Sequence, residues 1–181
     1  MATTLKNVSL AVSLTGQLTG AATVTPYTLQ FPLAFATLVN QLFTSGAGAA
    51  AAVNQAIISA RSLTATSNET LDLYAFGAAN DVVGNAITLA TIKIFIVQNT
   101  AAVEADSITL GQIGSTAQWT SFMSPNTAGL IIPGGGCICM FAPGATGLVV
   151  GASTTNHQLK VVNNSASNTV AYNIIAIGAT S

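Results

Sequence analysis

Pro133-Gly-Gly-Gly-Cys-Ile-Cys-Met-Phe-Ala-Pro-Gly-Ala-Thr-Gly147 holds two turns and the strand between them. The clusters Pro133–Gly136 and Pro143–Gly147 are turn signals, because Gly reaches left-handed backbone and Pro fixes φ and withholds a donor. The apolar run over 137–142 is too short for a helix and reads as a strand. Another strand is expected over 147–151. The same alternation of short runs and turns extends in both directions. Upstream, strands are expected over 62–66, 69–75, 87–98, 106–111, 117–123 and 128–132. Downstream they are expected over 158–162 and 169–178. Clusters such as Ser124–Gly129 and Asn163–Asn168 separate them. Short strands at roughly 8–12-residue spacing indicate a β-sandwich or barrel. Eight or nine strands in about 115 residues make a jelly roll the leading topology.

The first 60 residues read differently. Val8, Leu10, Val12 and Leu14 alternate with Ser9, Ala11, Ser13 and Thr15, a half-buried strand ending at Gly16. Tyr27, Leu29, Phe31, Leu33 and Phe35 alternate with Thr28, Gln30, Pro32 and Ala34. Pro32 cannot donate to a ladder, so this segment is expected as an edge strand or extended arm. Its five large apolar residues are the candidate subunit-interface residues. Beyond Gly46 and Gly48, residues 49–60 are Ala-rich, with Val53, Ala56, Ile57 and Ala60 at helical spacing, which predicts one short helix. The expected fold is all-β: a jelly-roll-like β-sandwich over 61–181, with an N-terminal extended arm or side element over 1–60 that carries the helix.

Charge is scarce. Four basic and five acidic side chains stand among 181 residues, a charged fraction far below the roughly 25% of ordinary globular domains. A neutral surface of Thr, Ser, Asn, Gln and Gly lacks the repulsion that keeps copies apart. Lys6, Arg61, Lys93 and Lys160 are scattered singly, so a phosphate-tracking surface is not expected. No run approaches the about 20 apolar residues of a membrane span, and Met1–Lys6 lacks the basic and apolar regions of a signal peptide.

Catalytic constellations are sparse. The single histidine, His157, sits among polar residues at the start of a strand and reads as a surface or turn residue. No Gly-x-Ser-x-Gly elbow occurs. Cys137 and Cys139 share one strand face and read as small buried hydrophobes, inert as nucleophiles and too far apart to bridge readily. Glu104 and Asp106, with Asn99, could offer oxygens to calcium, but a solvated loop before the next strand is preferred. Trp119 and Tyr74 are too isolated to build a sugar-binding groove, and Pro133–Gly136 has no following Lys or helix to cradle phosphate. No catalytic residue, metal or cofactor is expected.

Several stretches resemble small β-sandwich structural proteins of tailed bacteriophages. They are Arg61–Leu73, Ile94–Thr100, Ile131–Gly136, Ala142–Gly147, Leu159–Asn163 and Val170–Gly178. The resemblance covers roughly residues 61–178 and matches only loosely through Leu10–Gly16 before that. It departs from the pattern at His157-Gln158, where an Asp is usual. It implies a virion component assembled in the host cytoplasm, with other virion proteins and copies of itself as partners, in a trimer or larger symmetric assembly. Within that class, a capsid or capsid-decorating cement subunit is expected. A tail, collar or fibre component with adhesive or receptor-binding loops is the alternative. Outside it, an adhesive or carbohydrate-binding module would want more exposed aromatics, and an enzyme is the weakest reading.

Overall fold

The computed structural model describes residues 9–11, 18–21, 26–29, 40–76, 80, 84, 86–111, 116–121, 129–151 and 155–180. Their strands are β1 (Ser9–Ala11), β2 (Leu18–Ala21), β3 (Pro26–Leu29), β4 (Asn40–Leu42), β5 (Thr44–Ser45), β6 (Ala52–Val53), β7 (Gln55–Leu63) and β8 (Asn68–Asp72). They continue with β9 (Thr91–Asn99), β10 (Ile108–Leu110), β11 (Leu130–Ile132), β12 (Cys137–Phe141), β13 (Leu148–Val149), β14 (Gln158–Asn163) and β15 (Val170–Ala179).

β15 lies between β9 and β7 and pairs antiparallel with both. β12 and β13 extend the sheet from the far side of β9, so its order is β12-β9-β15-β7 with β13 also on β9. The second sheet runs β11-β10-β14-β8, again antiparallel. Val170, Tyr172, Ile174 and Ala176 alternate inward along β15, as period-two side chains must. They meet Leu159 and Val161 of β14 and Ile108 and Leu110 of β10 in one core. Trp119 lies in that core without solvent exposure. Its ring meets Phe95 edge-on at 5.1 Å, and its indole Nε1 donates to Val149 O at 2.8 Å. Burial of each such large side chain contributes about 1.5–3 kcal/mol.

Two expectations are corrected here. No helix forms over 49–60. The segment turns at Ala51, whose φ is 55°, then enters β6 and the nine-residue strand β7. Apolar residues at 53, 56, 57 and 60 satisfy helical spacing, but β15 offers an open hydrogen-bonding edge. Nine residues of β7 pair with it, from Gln55↔Gly178 to Leu63↔Val170. That ladder and the burial of Ala56, Ile57 and Leu63 outweigh the weak helical preference of the Ala-rich run. β7 also runs continuously across residue 60. Second, the jelly-roll-like sandwich with a helix is replaced by an all-β, mostly antiparallel architecture of two open sheets. The edge strands β12, β7, β11 and β8 are not joined to one another, so neither sheet closes or curls into a barrel. Among the described strands one pairing, β5 with β6, is parallel. Of the strand expected over 117–123, the described residues 117–121 hold a single isolated parallel bridge, Gln118↔Gln158, and 122–123 lie outside the described residues.

The β15–β9 register shifts once. Ile177 faces Ile94, but Gly178 faces Ile92, so Lys93 is the extra residue of a β-bulge. Gly178 permits the close approach: a Cβ there would lie 1.9 Å from Thr91 O. The bulge turns Ile92 into the main core and Ile94 to the opposite face of the sheet.

Candidate assembly surface

The outer face of the five-stranded sheet follows from the register. Phe141, Ile94, Ile177 and Ala56 form one row across β12, β9, β15 and β7. Cys139, Ile96, Ile175 and Ile58 form the next, and Cys137, Gln98, Asn173 and Ala60 the third. None of these side chains is charged. The first row is covered from within the chain. Phe43 and Val53 are buried against Ile94, with Ile177, Ile96, Phe141 and Ala51 packed around them. The rings of Phe43 and Phe141 meet edge-on at 5.9 Å. Backbone bonds hold this cover in place: Gly46 N donates to Val53 O at 3.0 Å and Ala51 N to Pro143 O at 2.7 Å.

Among the described residues the cover thins beyond the first row, reaching Ile96 of the second but leaving Ile58 open. Ile58 is 66% exposed, Ala60 is exposed on the same strand, and Cys137 and Cys139 are exposed at the opposite edge of the sheet. In the third row Asn173 Nδ2 donates to Gln98 Oε1 at 3.3 Å, one bond linking the two amides across strands. Apolar rows that are neutral and half-covered suit burial against another neutral surface. Ile131, 62% exposed, and Leu130 add apolar surface on β11 of the other sheet.

Cys137 and Cys139 were expected inside the sandwich, and this is corrected: both are free and exposed. Ile138 and Met140 pack on the core instead. Loss of solvation against the sheet, and then the neighbouring Cys137, push the Cys139 thiol above its ordinary pKa. Less thiolate is therefore present at neutral pH than in a free thiol. His157 is also corrected, from a surface or turn position to a buried one. Its backbone accepts from Leu73 N at 2.8 Å and donates to Ala117 O at 2.9 Å, which draws the ring inward. Its Nδ1 is buried without a hydrogen-bond partner among the described residues.

Several polar groups join segments of the fold. Glu69 of β8 accepts from Arg61 Nε at 2.9 Å and Nη2 at 2.6 Å, and from the Tyr172 hydroxyl at 2.6 Å. The hydrogen bond to Glu69 raises the Arg61 pKa. Burial first, and then the bond to Glu69, raise that of Tyr172. The Arg61 guanidinium also lies over the Phe76 ring, 5.9 Å from its centre. A small open cleft of about 130 Å³ is lined by Arg61, Thr70, Leu71, Asp72 and Phe76. Lys93 is buried, and its ammonium donates to the carbonyls of Gly144 and Ala145, the latter at 2.6 Å. Desolvation lowers its pKa.

The candidate calcium oxygens serve the fold as well. Asn99 Nδ2 donates to Asp106 O and Ile132 O, and its Oδ1 accepts from Ala101 N. Asp106 is not in a solvated loop but buried, and its carboxylate accepts from Asn168 Nδ2 at 3.0 and 3.1 Å. Glu104 is exposed. Among the described residues no group of three or more His, Cys, Asp or Glu side chains gathers in metal-binding geometry.

Of the candidate interface residues, Tyr27 and Leu29 lie on β3, opposite Gly20 and Leu18 of β2. Phe31, Leu33 and Phe35 lie outside the described residues. The outer sheet face was not picked out in sequence as an interface. Its signal was present in Ile57-Ile58 and Ile174-Ile175, adjacent branched residues that place one side chain on each face of a strand. Comparisons with family models, with curated proteins and with solved structures return no match.

Proposed function

We propose that the chain is a structural subunit that assembles with copies of itself through a neutral, largely apolar surface. The single observation that carries this reading is the charge-free outer face of the five-stranded sheet, where Ile58, Cys139 and Ala60 stand open beside a row already buried by Phe43 and Val53. The polar clusters Arg61–Glu69–Tyr172, Asn99–Asp106 and Lys93–Gly144 hold segments together, so the reading assigns them no catalytic role. The resemblance to phage structural proteins supplies the finer proposal: a capsid or capsid-decorating subunit of a virion, with other virion proteins as further partners, assembled in the host cytoplasm.

Sedimentation velocity and negative-stain microscopy of the purified chain test this. The expected result is a concentration-dependent symmetric oligomer, ring or shell. Replacing Ile58 by Lys or Asp should shift it toward smaller species. A chain that stays monomeric up to about millimolar concentration, where even weak specific contacts of about 4 kcal/mol register, would overturn the self-assembly reading.

A further inference from the structure

The β12 edge of the five-stranded sheet is open among the described residues. β12 bonds to β9 on one side only. Asn99 N donates to Gly136 O, and Ala142 N to Lys93 O, each at 2.9 Å. In an antiparallel ladder those two bonds assign even-numbered residues 136–142 to the β9 side. The N–H and C=O groups of Cys137, Cys139 and Phe141 therefore point off the edge. No other strand among the described residues pairs with them. Exposed edges are usually protected by charge, by proline or by shortness. β12 has no charge and no proline within its five residues. The competing edges are less open: β7 carries Arg61, β8 carries Glu69 and Asp72, and β11 is three residues long.

We propose that β12 pairs antiparallel with β12 of a second copy about a two-fold axis passing beside Cys139. The outward groups are symmetric about that residue. Cys139 then faces the partner's Cys139, and Cys137 faces the partner's Phe141. Each pair exchanges two backbone hydrogen bonds, and the two five-stranded sheets become one continuous sheet. The partly covered row Cys139–Ile96–Ile175–Ile58 continues across the axis. A charged or proline-bearing partner strand would gain less here, whereas a second copy brings the same neutral edge. This deepens the self-assembly reading and rests on it.

The test uses single-thiol forms of the full chain. Dipyridyl disulfide is the oxidant: one thiol attacks it and releases one pyridine thione, leaving a mixed disulfide. The partner's thiol displaces the second thione, so the two thiols give up two electrons and two protons to the reagent and the S–S bond forms between them. With Cys137→Ser, the remaining Cys139 thiols should lie at the about 5.5 Å Cα spacing of a hydrogen-bonded pair, within bridging range. With Cys139→Ser, the two Cys137 positions are four residues out of register, about 13 Å apart. A covalent dimer is expected at least about tenfold faster from the first variant than from the second, the Cys137 thiols lying beyond the about 7 Å limit for bridging. Equal rates, or a faster Cys137 bridge, would overturn the pairing. Cys139→Pro provides a second readout. It deletes only an outward N–H, which an edge strand tolerates, so the circular dichroism of the fold should persist while the non-covalent dimer dissociates. Retention of the dimer by this folded variant would overturn the pairing too. If oligomers form but fail these tests, the edge pairing falls and self-assembly stands. If the chain is monomeric throughout, both fall.

Discussion

Tyr172 on β15 donates its hydroxyl to Glu69 Oε1 on β8 at 2.6 Å, joining the two sheets by a side-chain bond at the margin of the core. Tyr172 is buried, and Glu69 is held on its other oxygen by Arg61 of β7. Three strands from both sheets therefore meet at one carboxylate.

The pH dependence of stability should carry the mark of this bond. The folded-state pKa of Tyr172 is raised by burial and by Glu69, whereas an unfolded tyrosine titrates near about 10. The folded state therefore holds its proton where the unfolded state releases it. The contribution is fully present below about pH 10 and is lost progressively above it. Tyr172→Phe should cost about 1–2 kcal/mol at neutral pH. It should also flatten the alkaline loss of stability. Urea midpoints of both proteins measured from neutral to alkaline pH check this, and parallel curves would refute it.

Asn163 is a second tie between segments. Its Nδ2 lies 2.9–3.0 Å from the carbonyls of Leu63, Thr64 and Asn168, while its Oδ1 accepts from Ser165 N. Asn163→Asp keeps the shape, removes the donors and sets a carboxylate against three carbonyls. A loss of about 3 kcal/mol or more is expected, read as a fall in the denaturation midpoint. Asn164→Asp, next along the chain but exposed, should cost less than about 1 kcal/mol.

The bulge at Lys93 anchors the 142–147 loop. Lys93→Met removes the donor to Gly144 O and Ala145 O. The loop in turn accepts from Ala51 N through Pro143 O. Amide exchange at Ala51 and Gly147 should accelerate about tenfold, as local opening becomes easier by about 1.4 kcal/mol. Exchange at Asn99, in the same strand beyond the bulge, should stay unchanged.

Two glycines of unlike surroundings make a paired test. Gly178→Ala would drive a Cβ against Thr91 O at 1.9 Å, a rigid backbone atom, whereas Gly144→Ala meets nothing within 4 Å. The first should destabilise by about 2 kcal/mol or more and the second by less than about 0.5 kcal/mol. Thermal melts of the two variants decide it.

Assembly should resist salt. The outer rows carry no charge, so raising sodium chloride from low to about molar concentration screens almost nothing there. Oligomers should persist in sedimentation at both salts. Urea should dissociate them, since apolar burial and backbone bonding carry the contact. Dissociation by salt alone would show that charges converge at the interface.

Much of the strand layout was legible in the sequence. Pro133–Gly136 and Pro143–Gly147 bracket β12, and the expected strands over 87–98, 128–132, 158–162 and 169–178 fall on β9, β11, β14 and β15. Turn chemistry and period-two alternation are local properties, so a single chain displays them. The faces were not local. Cys137-Ile-Cys-Met-Phe141 is apolar on both sides, and nothing within it selects a core side. The second sheet does, drawing Ile138 and Met140 against the main core and leaving both thiols outside. Residues 55–60 fit helix and strand alike until β15 supplied a nine-residue partner. His157 looked like a turn residue because its neighbours are polar, but its backbone bonds to Leu73 and Ala117 carry it inside. The sequence by itself determined that this is a neutral chain of short strands. Only the tertiary structure decided which apolar rows are core, which are covered by Phe43, and which edge is left unpaired. Burial and ladder pairing depend on residues far apart in the chain.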